Sequence, residues 1–519
     1  MFDFSGLKLV TAGTDSFVGI RKSSSGDDFE FCLPNGFEEF PTGDFDEIKK
    51  LFFGMYRAFR KFEQDNINTG RLKFNETNFQ KDQDQTTLSS GGVSLQTGEG
   101  ETCVLYSKIK MIEQILEAYD DLAINSIQKK IRRSEDIDYS QIHRYLDKAI
   151  YLDNNVIYVD YMDLPRPVVR YESTDLVNLY CYILDEIVQQ LQGDVAENIK
   201  ARLQDIQFLS QRFRDAYLTI NQSIFDKDTF AETVNLLKET LDNIDKNTYY
   251  KDSDYWQLYE AIETFLYGEL NPNQTDGEFW GMQGFSLLWE DMCNTFFFRK
   301  SYSDILYADA DIFLKDYYNP LRKDTERGRV GNYSTHDGSK EWSQWAYRTT
   351  SDVQYPKHIG CFEWNELFCI ELDLKVGVLA YTNEGYNDFN QRDRSQTQFR
   401  RFPRPDLILK SKRNPSKVRI IDYKYHPINF YTNQNLLGNP AKIVEEAVIK
   451  QLTYELAIQQ THDVSANWFF IPHFYTSLPK PDPLGEIDGK VRRNGQNTGI
   501  DIFKANFTLI QTVYLEENL

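Results

Sequence analysis

The sequence has few cysteines and histidines, and it does not pair them. Its six cysteines are spread singly with no C-x-x-C motif, and its six histidines show no spacing typical of metal ligands. A structural zinc site and a disulfide framework are therefore not expected, and reduced thiols favour a cytoplasmic protein. The G-x-x-x-x-G-K-[ST] motif is missing as well, so we do not expect this chain to hydrolyse nucleotides itself.

Long apolar runs and a basic excess are also missing. No stretch approaches the roughly 18 uninterrupted apolar residues of a membrane-spanning helix. The first residues lack the basic start and apolar run of a signal peptide. The formal net charge is −21, from 58 basic and 79 acidic residues. A charge of that sign opposes nucleic-acid binding over the whole surface, although it allows a local basic groove.

The length of 519 residues predicts several domains rather than one core. We expect a small β-rich unit at 1–60, a mostly helical region at 61–270 that serves partner docking, and a third domain at 278–519. The polar stretch 65–101 predicts a mobile loop. The periodicity further predicts helices over 44–62, 108–130, 174–192, 234–243 and 255–267, and a hairpin over 149–163 with its turn at 153–155.

Residues 404–424 carry the most informative pattern. Arg-Pro-Asp-Leu-Ile-Leu is followed by a polar turn and then by Val-Arg-Ile-Ile-Asp-Tyr-Lys, which predicts the two strands of a hairpin. Because side chains alternate along a strand, Asp422 and Lys424 share a face with apolar residues. Burying such charges is costly unless they are paired or bind a metal.

Asp406, Asp422 and Lys424 meet at the mouth of this hairpin and fit a Mg²⁺ site. Carboxylates are the hard oxygen ligands that Mg²⁺ prefers, and the lysine can orient a water and offset charge that develops on phosphorus. We expect the two carboxylates to lie within roughly 6 Å of each other, a span that one Mg²⁺ bridges. An Asp and a Lys two residues apart also form surface ion pairs at strand ends, so the tripeptide alone leaves both interpretations open.

A helix upstream of the hairpin supplies a third candidate acid. The apolar spacing over 285–296 predicts an amphipathic helix that carries Glu290. This residue is either a further metal ligand or an ordinary solvated glutamate. Glu363 and Glu366 are alternatives that lie nearer to the hairpin in sequence.

A helix after the hairpin places Gln451 and Tyr454 on a mostly buried side. A buried glutamine needs hydrogen-bond partners, so Gln451 either holds a water or phosphate at the site or packs against backbone groups. Lys450 is expected to point away from that side. His426, two residues after the hairpin lysine, is more typical of a surface histidine.

Basic residues are concentrated over 392–424, within a strongly acidic chain. Such a cluster predicts a local phosphate-binding surface. The candidate DNA-binding residues are Arg400, Arg401, Arg404, Lys410, Lys412, Arg413 and Tyr454.

Two groups of motifs resemble known nucleases. Arg404-Pro405-Asp406, Asp422-Tyr-Lys424 and the shortened Gln451-Leu-Thr-Tyr454 resemble the PD-(D/E)xK nuclease superfamily. Leu288-Trp289-Glu290 with the same hairpin resembles the McrC and LlaJI-type restriction endonuclease subunits. The opening segments Phe17-Val18-Gly19-Ile20 and Phe31-Cys-Leu-Pro34-Asn-Gly36-Phe also resemble the LlaJI-type family. The stretch between Glu290 and Asp406 is longer than this pattern leads us to expect.

The resemblance implies an α/β (α+β) nuclease core with a mixed central sheet flanked by helices. It implies a Mg²⁺-dependent endodeoxyribonuclease, with Mn²⁺ as a substitute, in a restriction system for antiviral defence. The catalytic set would be Asp406, Asp422, Lys424, Glu290 and Gln451, with the three acids as metal ligands. The partners would be a McrB-like AAA+ GTPase, which binds and translocates DNA, and double-stranded DNA, with no membrane involved.

Two alternatives remain open. The chain could be a stand-alone PD-(D/E)xK nuclease that acts on DNA or RNA, or a mainly structural subunit that activates the motor. The intact set of two acids and a lysine favours a working nuclease. We further expect that deletion of 1–270 leaves a folded core that no longer responds to the GTPase.

Overall fold

The computed structural model describes the two strands of the predicted hairpin and many helices and strands around them. The described residues are 4, 7–11, 17–23, 29–69, 73–74, 93–96, 102–106, 109–124, 132–137, 146, 149–152, 157–158, 165–168, 171–219, 222–248, 251–267, 280–313, 327–330, 332–336, 341–345, 405–414, 416–433, 436–459, 462–493 and 496–516.

The protein is a mixed α/β structure in which two seven-stranded sheets are accompanied by helices. The helices are α1 (Phe45–Thr69), α2 (Lys110–Glu117), α3 (Tyr171–Gln190), α4 (Glu197–Lys200), α5 (Leu203–Tyr217), α6 (Phe230–Asn247), α7 (Ser253–Tyr267), α8 (Ser286–Ser301), α9 (Ile428–Thr432), α10 (Asn439–Ile458) and α11 (Phe507–Leu515).

The strands of the N-terminal half are β1 (Lys8–Thr11), β2 (Val18–Lys22), β3 (Phe29–Leu33), β4 (Lys73–Phe74), β5 (Val93–Gln96), β6 (Thr102–Tyr106), β7 (Arg132–Ile137), β8 (Ile150–Tyr151), β9 (Ile157–Tyr158) and β10 (Pro165–Val168). Those of the C-terminal half are β11 (Trp280–Gln283), β12 (Ile305–Phe313), β13 (Arg327–Val330), β14 (Asn332–His336), β15 (Glu341–Trp345), β16 (Leu407–Lys410), β17 (Lys417–Tyr423), β18 (Asp463–His473), β19 (Gly485–Arg493) and β20 (Gln496–Asn506).

The chain divides into two compact units rather than the three consecutive segments that the sequence suggests. A helical unit comprises Met1–Ser5, Ile48–Phe53 and Ile109–Asn271. A sheet unit comprises Gly6–Glu47, Gly54–Lys108 and Pro272–Leu519. The helical unit is therefore largely one insertion within the sequence of the sheet unit.

The helical unit is organised around α3. Every residue from 176 to 188 is buried, which is typical of a helix surrounded by others. α3 packs against α5, α6 and α7. The same unit holds the small hairpin of β8 and β9, in which Ile150 lies opposite Tyr158 and Tyr151 opposite Ile157. The predicted turn at 153–155 lies outside the described residues.

The first sheet of the sheet unit explains why the residues at 1–60 do not stand alone. Its strand order is β1-β3-β2-β11-β6-β5-β4, so β2 finds its partner in β11 about 260 residues later. Gly19 allows this pairing, because a Cβ there would lie 2.2 Å from the Trp280 carbonyl oxygen. β4 and β5 occupy part of the stretch 65–101, whose other residues, apart from the end of α1 at Thr69, lie outside the described ranges.

The second sheet carries the hairpin and has the order β13-β12-β16-β17-β18-β20-β19. It is mixed, because β16 pairs antiparallel with β17 while β17, β18 and β20 run parallel. α8 covers one face, where Trp289 stacks on Phe470 with ring centroids 6.1 Å apart. α10 covers the opposite face, where Val444 and Val448 join Phe469 in a buried cluster.

A turn at 34–37 joins the two sheets of this unit. The Asn35 Nδ2 donates a hydrogen bond to the Tyr425 carbonyl oxygen at 2.6 Å. Gly36 has a φ of +84°, and a Cβ there would lie 2.0 Å from the Pro472 carbonyl oxygen. Phe37 packs on Phe474 with ring centroids 5.3 Å apart.

A helix follows the last strand of the second sheet. β20 ends at Asn506 and α11 follows directly. The Asn506 Oδ1 accepts a hydrogen bond from the Leu509 backbone N–H at 3.2 Å, which caps the helix. None of the helices that the structure describes is long and apolar enough to cross a membrane.

Candidate functional site

The mouth of the β16–β17 hairpin brings its acidic residues side by side. The register places Leu407 opposite Ile421, so Asp406, just before β16, lies level with Asp422 on β17. Residues opposite each other in an antiparallel pair project to the same face. The face that carries Asp422 is the one that α10 covers.

Asp422 and Lys424 form an enclosed ion pair. The Lys424 Nζ lies 2.6 Å from Asp422 Oδ2, with side-chain exposures of 18% and 2%. β18 fixes this pair from the neighbouring strand: the Lys424 backbone N–H donates to the Phe470 carbonyl oxygen at 3.0 Å. The same Nζ lies 5.4 Å from the centroid of the Phe469 ring. Of the two interpretations of the tripeptide, the exposed surface ion pair does not apply.

The two aspartates are in direct contact, and their pKa values shift in opposite directions. Asp406 Oδ2 accepts a hydrogen bond from the Tyr423 backbone N–H at 2.6 Å, and its carboxyl also hydrogen-bonds Asp422. Although Asp406 as a whole residue is half-buried, burial of its carboxyl raises its pKa well above the usual range, and the charges of Asp422 and Glu290 raise it further.

Asp422 shows the opposite shift. Burial disfavours its carboxylate, but the charges of Lys424 and Lys450 and the hydrogen bond from Asp406 outweigh burial and lower the pKa of Asp422. The opposite shifts favour a proton on Asp406 over one on Asp422, as expected for two carboxyl groups in contact.

A divalent cation fits this acid pair. Among the described residues, no donor meets the buried Asp422 Oδ2 with hydrogen-bond geometry, although the Lys424 Nζ is near it. A hard cation would satisfy that oxygen and replace the shared proton. Across the described part of the chain, however, no three His, Cys, Asp or Glu side chains are grouped as a metal site. Asp406 and Asp422 would thus be the protein ligands, with water or phosphate oxygens completing the shell.

Glu290 lies within electrostatic reach of the pair without joining it as a third ligand. It is half-buried on α8. Its negative charge raises the pKa of Asp406, and together with burial it raises the pKa of the Cys293 thiol. The rival acids Glu363 and Glu366 lie outside the described residues.

Gln451 is held by β18 instead of by the acids. Its side chain is fully buried, and Nε2 donates to Asn467 Oδ1 at 2.5 Å. Asn467 in turn donates to Glu455 at 2.7 Å. Asn467 lies opposite Ile420, which precedes Asp422 by two residues on β17. The Gln451 amide is therefore bonded at a point on the sheet two residues away from Asp422.

Lys450 is a site residue that the sequence interpretation missed. We expected it to point away, but it hydrogen-bonds the fully buried Tyr454. Its Nζ lies 5.7 Å from the Tyr454 ring centroid. Its charge helps lower the pKa of Asp422, and it partly offsets the burial and the charges of Asp422 and Glu290 that raise the pKa of Asp406. The spacing of four residues, which puts a lysine and a tyrosine on one helix flank, was the available signal.

Of the predicted DNA-binding residues that the structure describes, the basic ones lie away from the acids. Lys410, Lys412 and Arg413 lie at the turn of the hairpin, and Lys412 pairs with Asp304 at 3.5 Å. At about 3.3 Å per strand residue, Lys410 is roughly 13 Å along β16 from Asp406. Arg400, Arg401 and Arg404 lie outside the described residues, and Tyr454 is buried beside Lys450.

Fold and site together define a mixed α/β protein with an enclosed pair of aspartates and an adjoining lysine at the end of a mixed sheet. Comparisons with protein-family models, with curated proteins and with solved structures find no match for this chain.

Proposed function

We propose that this protein is a Mg²⁺-dependent phosphodiester hydrolase that cuts DNA. The observation that carries the proposal is the contact between Asp406 and Asp422, with Lys424 2.6 Å from the latter. Two carboxyl groups in contact are costly to maintain in a protein interior. Such an arrangement is typical of a site that binds a divalent cation during its reaction.

The residues of the chain would share the work as follows. Asp406 and Asp422 would hold Mg²⁺, or Mn²⁺ as a substitute, once Asp406 gives up its carboxyl proton. The bound ion would supply charge neutralisation at the phosphate. Lys424, held in place by β18, would orient the attacking water and stabilise the negative charge that develops on the phosphate oxygens.

We further propose that the second sheet is a PD-(D/E)xK nuclease core of the McrC or LlaJI type. Adjacent strands that carry the two acids, with α8 and α10 on opposite faces of the sheet, support this assignment. Gln451 would then have a structural role, because its amide is bonded to Asn467.

A partner protein is the second part of the proposal. The net charge of −21 opposes approach to DNA, so cutting would depend on a motor that brings DNA to the site. The McrB-like AAA+ GTPase that the family resemblance implies is the proposed motor. In the helical unit, the β8–β9 hairpin offers a surface for docking, because its large apolar residues are more than half exposed. These are Ile150, Tyr151, Leu152, Ile157 and Tyr158.

The test is cleavage of duplex DNA by the full-length chain with Mg²⁺, with and without the GTPase and GTP, at physiological salt. Asp422→Asn and Lys424→Ala should each lower the cleavage rate about 10²-fold or more, because the first removes a metal ligand and the second removes charge stabilisation at the reacting phosphate. The control pair is Asp463 and Lys417, another Asp–Lys ion pair on these strands, which is exposed and 3.5 Å apart. Asp463→Asn should cut like the unaltered protein.

The outcomes separate the alternatives. Equal cutting with and without the GTPase would favour a stand-alone nuclease. Stimulation of the GTPase without any cutting would favour a structural activator. Unaltered cutting by Asp422→Asn would end the nuclease assignment at this site.

A further inference from the structure

The flank of α10 that borders the acid pair carries a second lysine. Lys450 is exposed on the helix surface, whereas Tyr454, one turn later, is fully buried. The lysine ammonium donates a hydrogen bond to the tyrosine hydroxyl, so a rigid side chain determines where the ammonium lies. α10 itself is fixed to the sheet by Val444 and Val448 in the buried cluster.

Lys450 is not needed to pair with Asp422. That carboxylate already has the Lys424 Nζ at 2.6 Å. Lys424 is largely enclosed, whereas Lys450 is exposed as a whole residue although its ammonium is partly buried. A strand approaching from solvent would therefore meet Lys450 before it reaches Lys424. An ammonium on a flexible stem is a common point-charge ligand for phosphate.

We propose that Lys450 binds a phosphate of the nucleic-acid backbone at the site, with Tyr454 as the residue that positions it. The inference rests on the proposed function and adds a substrate-binding residue to it. Lys424 would act on the reacting phosphate, and Lys450 would hold the strand. The positive charge of Lys450 agrees with this role. Burial alone would lower the pKa of its ammonium, but the neighbouring Tyr454, Asp422 and Asp406 outweigh burial and raise that pKa.

Binding measurements test the proposal directly. The full-length protein is titrated with a fluorescein-labelled DNA duplex in Ca²⁺, beginning at low salt, and the affinity is followed as salt is added. Removing one phosphate contact should reduce the slope of log K against log salt by about 0.9. We expect that reduction in Lys450→Gln and not in Lys450→Arg, which keeps the charge.

Lys442→Gln is the matched control. Lys442 lies two turns earlier on the same helix, is exposed and is 3.9 Å from Glu446, so its loss should leave the slope unchanged. Tyr454→Phe keeps the ring and removes the hydroxyl that positions Lys450. It should weaken binding in the unaltered protein and have no further effect in the Lys450→Gln background.

Cleavage kinetics provide an independent readout. Lys450→Gln should raise KM and leave kcat nearly unchanged, whereas Lys424→Ala should lower kcat. If the unaltered protein cuts DNA and Lys450→Gln matches Lys442→Gln in both slope and KM, the inference is overturned while the proposed function stands. If the unaltered protein neither binds nor cuts DNA, with or without the GTPase, the proposed function itself fails.

Discussion

At the scale of single residues, the carboxyl of Asp406 works against folding at neutral pH. Burial, then Asp422 and Glu290, raise its pKa above the value in the unfolded chain. A group with a raised carboxyl pKa in the folded state costs stability as pH rises above the unfolded value of about 3.9. The cation that the site is proposed to hold would remove this cost.

Asp406→Asn should therefore stabilise the metal-free protein while it abolishes cutting. We expect the Tm to rise by a few degrees at neutral pH and the gain to vanish below about pH 3, because Asp406 is then protonated in both the folded and the unfolded state. Differential scanning calorimetry across that pH range, in EDTA, is the measurement. Asp463→Asn, at an exposed strand end, should show no such pH-dependent gain. A lower Tm for Asp406→Asn at neutral pH would contradict the conclusion that the Asp406 carboxyl costs stability in the folded state.

At the scale of elements, the turn at 34–37 connects the first sheet to the strand that carries the site. Gly36→Ala would place a Cβ 2.0 Å from the Pro472 carbonyl oxygen at a φ of +84°. Gly43 has a similar φ of +76°, with nothing within 4 Å of its Cβ position. Gly43→Ala should cost only the backbone strain, about 1 kcal/mol.

Gly36→Ala should cost clearly more than that control, because the backbone of β18 must also move. Since Asn35 next to it holds the Tyr425 carbonyl oxygen, the displaced turn should disturb Lys424 and lower kcat as well. Urea unfolding and cleavage rates measure the two effects. Equal unfolding free energies for the two alanine variants would show that the close approach does not exist in solution.

The helical unit contains a buried ionic network that supports α3 against α5. Arg214 pairs with Glu186 and lies 3.7 Å from Asp185, and Ser210 donates to Asp185 at 2.8 Å. Arg214→Ala leaves two enclosed acids without their cation, which should destabilise the unit by about 3 kcal/mol. Arg202→Ala, which removes an exposed pair with Asp121, should change little. Thermal unfolding followed by circular dichroism compares the two.

Local sequence patterns predicted many of the helices and strands. They could not predict which residues far apart in the sequence become neighbours. The hairpin of Asp406 and Asp422, the helices at Glu290 and Gln451 and the strands β1 to β3 follow from periodicity within short windows. The pairing of β2 with β11 has no local signal, and neither has the bond from Gln451 to Asn467. Lys450 was misplaced because it was assigned away from the buried side, although it lies four residues before Tyr454 and so on the same helix flank.

At the scale of the whole molecule, the first sheet determines which truncations can fold. We expected deletion of 1–270 to leave a folded core, but β11 has β2 on one side and β6 on the other. The deletion removes both neighbours and exposes the buried Trp280 and Met282. We now expect an aggregated product without a cooperative unfolding transition, as measured by size-exclusion chromatography and calorimetry.

Substitution of the exposed hairpin is the matched alternative to truncation. Ile150→Ser with Ile157→Ser alters two residues that are more than half exposed, so the fold should be retained. If cutting depends on the partner, this variant should cut DNA poorly. If the chain cuts alone, the variant should cut like the unaltered protein. A monodisperse, cooperatively unfolding 1–270 deletion would contradict the first-sheet argument.

The hydrogen bond between Asn35 and Tyr425 also limits when this part of the fold can form during protein synthesis. These residues are 390 positions apart, and at synthesis rates of about 5–20 residues per second the first waits roughly 20 to 80 s for the second to leave the ribosome. β2 pairs with β11 after about 260 residues, whereas Lys424 waits for Phe470 of β18, which follows Tyr425 in the chain. A nascent chain therefore cannot assemble the acid pair and its lysine against the sheet until β18 has been made.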